Sequence, residues 1–286
     1  MNRLLALSLL TAVAWMIGSA KAQNSLPEGE FHRYTTRTTQ YGVGYTDLYD
    51  TYLSPQAYRG TEVRILRESM RFPKWGRRHW SLQTLFQGNA AYGHNRAETN
   101  NTLGGLIHYN YALHYHFHVS PQLRLLAGGA IAGEGGFLYN LRNSNNPASA
   151  RAAMGLEVSG MAIWNFRIKE RPFTLRYQLN LPLAGLMFSP HYGQSYYEIF
   201  SLGNSSGVVC LTTPKNRPSL HQMLSFDFPL AGARMRLSYV GDIRQARLNG
   251  LRTHAYSHSF LVGVVRSIYR LPSQREPIFS PALQAY

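Results

Sequence analysis

"IHYNYALHYHFHV", Ile107 to Val119, places His108, His114, His116 and His118 in one short stretch. Read by parity, the odd positions Ile107, Tyr109, Tyr111, Leu113, Tyr115, Phe117 and Val119 are all apolar or aromatic. The even positions His108, Asn110, Ala112, His114, His116 and His118 are nearly all polar. Successive side chains of a β-strand point to opposite faces, so this stretch predicts a strand with a greasy face and a polar one. What the histidines do depends on what each face touches.

The same alternation recurs along the chain. Trp80, Leu82, Phe86 and Tyr92 oppose Ser81, Gln83, Gln87 and Asn89. Met154, Leu156, Val158, Trp164, Phe166 and Ile168 oppose Glu157, Ser159, Asn165 and Arg167. Phe173 to Leu181 and Met235 to Arg244 repeat the pattern, with Arg176, Arg236, Asp242 and Arg244 on the polar side. Weaker examples run through 40–46, 123–139, 219–230 and 256–269, and a change of phase within Thr61–Phe72 predicts a β-bulge. The sum is about ten strands, an even number, as bacterial membrane barrels have. Connections after odd strands are long (Asp47–Arg59, His94–Asn101, Asn140–Ser149, Phe188–Arg217, Gln245–Thr253). Those after even strands are mostly short (Val119–Gln122, Lys169–Pro172, Pro229–Ala233), Phe72–Arg78 excepted. This predicts an all-β, up-and-down antiparallel transmembrane β-barrel with both termini periplasmic.

A secreted soluble barrel shares the alternation but covers its polar face with Lys and Glu. Here that face uses Gln, Asn, Ser, His and Arg, and lysines fall mostly at turns, as Lys74, Lys169 and Lys215 do. Tyr92, Tyr139, Trp80, Trp164 and Tyr269 near strand ends fit interfacial girdles. The chain opens "MNRLLALSLLTAVAWMIGSAKAQ", with a basic start, an apolar core and an Ala-x-Ala site at Ala20–Ala22. That reads as a signal peptide over 1–22, leaving 23–286 as one barrel domain. Cys210 is the only cysteine, so no internal disulfide forms despite export. The net charge of +15 suits an anionic lipid surface, and export argues against nucleic acid. The expected partners are outer-membrane lipids including lipopolysaccharide, and the barrel-assembly machinery, for a monomer.

Three segments, "YGVGYTDLYDTYLSP" (Tyr41–Pro55), "HYGQSYYEIFSLGN" (His191–Asn204) and "GDIRQARLNGLRTHAYSHSFLVGVV" (Gly241–Val265), carry a family likeness. The chain resembles Bacteroidota outer-membrane barrels catalogued as domain-of-unknown-function family 3316. The resemblance implies a β-barrel in the outer membrane of a Gram-negative bacterium. It brings no activity and no catalytic residues.

Alternating histidines lie roughly 6.8 Å apart along a strand face and could share a metal. No Cys, Asp or Glu sits near His114–His118 in sequence, so neither metal nor cofactor is expected. A Ser/His/acid set could be drawn from Ser257, Ser259, His254 or His258 with Asp242 or Glu198. No motif of the omptin proteases, lipid A deacylases or outer-membrane phospholipases accompanies it. Catalytic residues are therefore not assigned. His254, His258 and Asp242 remain the candidates for an alternative in which the barrel hydrolyses lipid or peptide at its extracellular rim. The leading expectation is a side-chain-filled polar lumen with a binding, structural or narrow transport role. The loop Phe188–Arg217 is long enough to be a lid or plug, or to extend the wall.

The short turn at Ser120–Pro121 predicts a hairpin pairing His118 with Arg124, His116 with Leu126 and His108 with Glu134. Arg124, Arg167, Arg176 and Arg236 should then crowd the periplasmic end beside His114, His116 and His118. Fixed cations oppose both imidazolium and metal, so those histidines should be neutral hydrogen-bonding groups, while Glu134 favours a charged His108.

Overall fold

The computed structural model describes residues 34–75, 79–143 and 146–269. The signal peptide and its cleavage site lie outside the described residues, as does the side chain of Tyr269. Among the described residues eleven strands follow one another: β1 (Tyr34–Asp50), β2 (Ala57–Arg71), β3 (Trp80–Asn95), β4 (Asn101–His118), β5 (Leu123–Asn140), β6 (Ala148–Ile168), β7 (Arg171–Phe188), β8 (Val209–Thr212), β9 (Leu220–Leu230), β10 (Ala233–Leu248) and β11 (Leu251–Tyr269). Each pairs antiparallel with its neighbours, and β1 pairs with β11 along its whole length, so the sheet closes on itself. Strand β8 pairs with Gly185–Phe188 of β7, and β9 pairs with Thr174–Asn180 on the same edge. These two strands share one stave, which makes a barrel of ten.

Parity decides which face is which. Outward residues such as Val43, Ile107, Ile131, Leu156, Leu237 and Phe260 are exposed, while inward Gln40, Ser81, Gln83, Asn110, His114 and Ser259 are fully buried. An apolar wall around a polar interior is the inverse of a water-soluble barrel and matches a lipid surround. Aromatic rings mark the end that holds the termini. Trp75, Trp80, Tyr115 and Phe117 form one group of tilted and edge-on rings, and Trp164, Phe166, Phe173, Phe226 and Phe228 a second, largely stacked one, with neighbouring centroids 4.6–6.0 Å apart. Such a belt sits at a membrane–water boundary. Staves of up to 21 residues exceed the roughly 9–11 that cross a bilayer, so the wall stands beyond it.

The expected hairpin register is the observed one: His118 faces Arg124, His116 faces Leu126 and His108 faces Glu134. The expected bulge is elsewhere. Strand β2 is regular throughout, with Glu62, Arg64, Leu66, Glu68 and Met70 all inward. Its apparent change of phase arises because Leu66 and Met70 are apolar yet face the lumen. The irregularity falls between Leu156 and Glu157 of β6, where Leu183 is the extra residue of β7. Next to it stands Pro182, which lacks an N–H, in the stretch of β7 that neither β8 nor β9 covers.

One loop also differs from expectation. Gln245–Thr253 is almost all strand, closed by Asn249 and Gly250 with φ of 50° and 77°. Both central residues at positive φ make the twist-matched hairpin turn that an Asn-Gly pair favours. Of the courses expected for Phe188–Arg217, the segment extends the wall, pairing β8 with β7, while Arg217 at its end reaches inward to Glu134. It forms a short helix α1 (Tyr196–Phe200), capped where the Ser195 hydroxyl accepts from the Glu198 amide and the Glu198 carboxylate from the Ser195 amide. Those bonds hold the Glu198 carboxyl below its usual range. Tyr196 stacks on Phe188, and its hydroxyl accepts from the Ala150 amide at 2.6 Å. The chain then returns as β8.

One glycine is a sharp test of this register. A Cβ on Gly128 would sit 1.9 Å from the Leu113 carbonyl oxygen, in the backbone of the paired strand. Gly128→Ala must push β4 and β5 apart, costing about 1–3 kcal/mol as overpacking does. The folded band in heat-modifiable gel migration should be lost at a lower temperature than in the wild type.

Candidate functional site

The lumen is filled by layers. At the end that holds the termini, Met70, Phe72, Leu126, Met161, Ile163 and Val265 form an apolar cluster. Above it Glu68 receives both terminal nitrogens of Arg176 at 2.6 and 2.7 Å and Arg236 Nη1 at 2.7 Å. Arg236 also forks onto Asp227 at 2.5 and 2.8 Å, and Gln83 Nε2 donates to Glu68 at 2.6 Å. Charged hydrogen bonds in a dry setting are strong when every partner is present. Leu66, Leu85, Met223, Val240 and Leu261 make a second apolar cluster.

A second charged layer centres on Arg64. It donates to Glu62 at 3.0 Å, Asp242 at 2.6 Å, Gln87 at 2.9 Å and Ser257 at 2.8 Å. Ser257 and Ser259 donate in turn to Glu62. Arg244 bridges Asp242 at 3.0 Å and Glu134 at 3.3 Å, and Arg217 meets Glu134 from the segment between β8 and β9. Leu48, Tyr58, Ala91, Leu138 and Ala255 close the far end. The expectation of a polar lumen is thus half right, since apolar clusters alternate with the charged layers.

The histidines divide into two groups. His114 Nε2 meets the Ser159 hydroxyl at 2.8 Å, and His116 Nε2 meets Ser81 at 2.7 Å, with no carboxylate bonded to either ring. His118 lies exposed at the strand end. His108 is inward opposite Glu134, but that carboxylate is engaged by Arg217 and Arg244. Its ring turns instead toward Glu157, with Nε2 3.8 Å from Oε1. His221 of β9 reaches the same Oε1 at 3.9 Å and stacks on His108 with centroids 5.1 Å apart.

Of the other expected lumen residues, Glu134, Glu157, Arg176, Arg236, Asp242 and Arg244 point inward into these layers, and Arg124 is half-buried. Arg167 is exposed at the end of β6. Sequence reading missed Glu62, Arg64 and Glu68 because the supposed bulge hid the parity of β2. It missed Arg217 because that residue lies in a loop, and His221 because the alternation of β9 is weak.

The hydrolase candidates do not converge. Asp242 faces inward, whereas His254 and His258 fall on the outward face of β11. His254 bonds Asp47 at 3.1 Å and His258 meets the Tyr239 hydroxyl at 2.7 Å. Ser257 and Ser259 are turned away from both, onto Glu62. Glu198 is committed to the helix cap.

The family model described as "Protein of unknown function (DUF3316)" matches residues 3–275. The chain belongs to this family. No curated protein matches it in sequence. In shape it is similar to the transport unit of the autotransporter AIDA-I from Escherichia coli, at 8% identity and a TM-score of 0.46, over 91% of this chain and 97% of that one. It is similar also to Ail, the attachment invasion locus protein of Yersinia pestis, at 6% identity and a TM-score of 0.28, over 81% and 98% of the two chains. Neisserial surface protein A gives 12% and 0.29, over 81% and 96%. Likeness this distant says nothing of ligand or role.

The charged layer around Glu68 sets a stability test. Removing one member of a buried ion network strands its partners and costs about 3–5 kcal/mol. Glu68→Ala leaves Arg176 without its carboxylate, so denaturant unfolding of the barrel in detergent or liposomes should show a loss of that order. Glu198→Ala, in the exposed cap of α1, should change global stability far less.

Proposed function

We propose that the protein is a sealed outer-membrane barrel of a Gram-negative bacterium, exported by its signal peptide, with a non-catalytic structural or binding role. The observation that carries this reading is the filled lumen. Two hydrogen-bonded charged layers, centred on Glu68 and Arg64, lie between apolar clusters, and their side chains join opposite walls. Breaking them to admit a solute would strand several buried charges at once, which is costly. Small barrels are commonly filled in this way rather than open.

In this reading both termini are periplasmic and the long connections face outside the cell. Tyr197, Phe200 and Leu202, exposed on and beside α1, then lie at the rim, where aromatic and apolar side chains favour the headgroup region of the membrane. The net basic charge suits lipopolysaccharide as the surrounding lipid. The source in Bacteroidota and the monomeric state belong to the same proposal, as does insertion by the barrel-assembly machinery.

Planar-bilayer recording tests the sealed lumen. Purified folded wild-type protein should insert without steady current at physiological salt. A stable conductance from the folded monomer would overturn the reading and favour transport.

A further inference from the structure

Among the described residues, Glu157 is the inward carboxylate that no guanidinium approaches within 4.0 Å. Glu62, Glu68, Glu134, Asp227 and Asp242 each have at least one closer arginine, and Asp50 has Arg151 at 3.8 Å. The layer around it is unbalanced. Glu62, Glu134, Glu157, Asp242 and the adjoining Asp50 supply five carboxylates, against the four guanidiniums of Arg64, Arg151, Arg217 and Arg244. With neutral imidazoles the layer keeps one uncompensated negative charge, located where His108 and His221 converge. Buried charge of this kind calls for a cation.

We propose that His108, His221 and Glu157 form a binding site for a divalent transition-metal ion of the zinc class. Nε2 of His108 and Nε2 of His221 lie 3.8 and 3.9 Å from Glu157 Oε1, and one donor atom from each residue falls within 4.8 Å of the others. Bonds of about 2.0–2.1 Å in a tetrahedral site put ligands about 3.4 Å apart, so the two histidine–carboxylate separations must close by about half an ångström and the widest donor pair by about 1.4 Å at most. Two imidazoles with one carboxylate suit zinc and its neighbours; magnesium and calcium prefer all-oxygen sets, and no thiolate is present for softer ions.

The supporting groups point the same way. His221 Nδ1 lies 3.1 Å from Asp242 Oδ1, which fixes the tautomer with the proton on Nδ1 and leaves the Nε2 lone pair for the ion. Asn110 Nδ2 donates to Glu157 Oε2 at 2.6 Å, leaving Oε1 free to ligate. Metal sites are oriented by partners of this type. Beside the donors lies a cavity of about 20 Å³ lined by His108, Glu157, Pro182, Ala184, Thr213 and Arg217, among others. That is room for one water as a fourth ligand. Its lining runs from the lumen to Pro182, where the edge of β7 away from β6 is covered by neither β8 nor β9, and gives the ion a way in. The inference stands whether or not the lumen conducts.

The test uses full-length folded barrel in detergent, stripped with chelator and titrated with Zn(II) against a chromophoric competitor. Expected is one equivalent bound per chain, and a d–d spectrum of low-symmetry four-coordinate type when Co(II) replaces zinc. Glu157→Gln, which keeps the side-chain shape, should weaken binding at least a hundredfold, and Asn110→Ala about 10–100-fold. Zinc should raise the unfolding temperature of the wild type and not of Glu157→Gln, with heat-modifiable migration confirming that each variant is folded. His254→Ala, on the outer face, should bind as the wild type does. No stoichiometric binding by the folded wild type, or equal binding by folded Glu157→Gln, would overturn the proposal.

Discussion

A carboxylate sealed inside a barrel must meet a cation there, because neither water nor lipid can supply one. Glu68 satisfies this constraint with two arginines at once, Arg176 from β7 and Arg236 from β10, while Gln83 donates from β3. The three walls are thereby held at fixed distances, and the apolar clusters above and below are shaped by what the charged layer leaves. An ion pair isolated in this setting would roughly break even. A network with all donors and acceptors satisfied specifies a single packing.

The second layer follows the same rule with a different outcome. Arg64 gathers Glu62, Asp242, Gln87 and Ser257 into a closed set. The surplus carboxylate falls on Glu157, next to the strand irregularity at Leu183 and the stretch at Pro182 whose outer edge neither β8 nor β9 covers. Backbone and electrostatic departures from regularity thus coincide at one height of one wall. Elsewhere among the described residues the ladders run without a register shift.

Much of this was legible in the sequence where alternation was clean. The β4–β5 register could be derived because a one-residue slip would have sent the histidines into lipid. Trp80 and Trp164 at strand ends foretold the aromatic belt. Legibility failed where inside and outside share a chemistry. Leu66 and Met70 face the lumen and are as apolar as the lipid face, so parity in β2 looked broken and Glu62, Arg64 and Glu68 were lost with it. The turn at Asn249–Gly250 was readable from its dipeptide but was passed over because the flanking residues are polar. The grouping of His108, Glu157 and His221 joins three strands, and no local spacing announces such a cluster.

The Glu68–Arg236 contact spans 168 residues of sequence, and Arg64–Asp242 spans 178. The counter-ions of Glu68 therefore come from β7 and β10, and Asp242, near the end of the chain, takes Arg64 of the second strand beside its neighbour Arg244. A nascent or truncated polypeptide has no partial barrel to rest in, since enclosure before β7 and β10 are in place would trap Glu68 without its counter-ions. Loop-closure entropy already makes such distant pairing slow, and the electrostatics make it all-or-none. The interior works as a proofreading step: only a complete chain can afford to leave water.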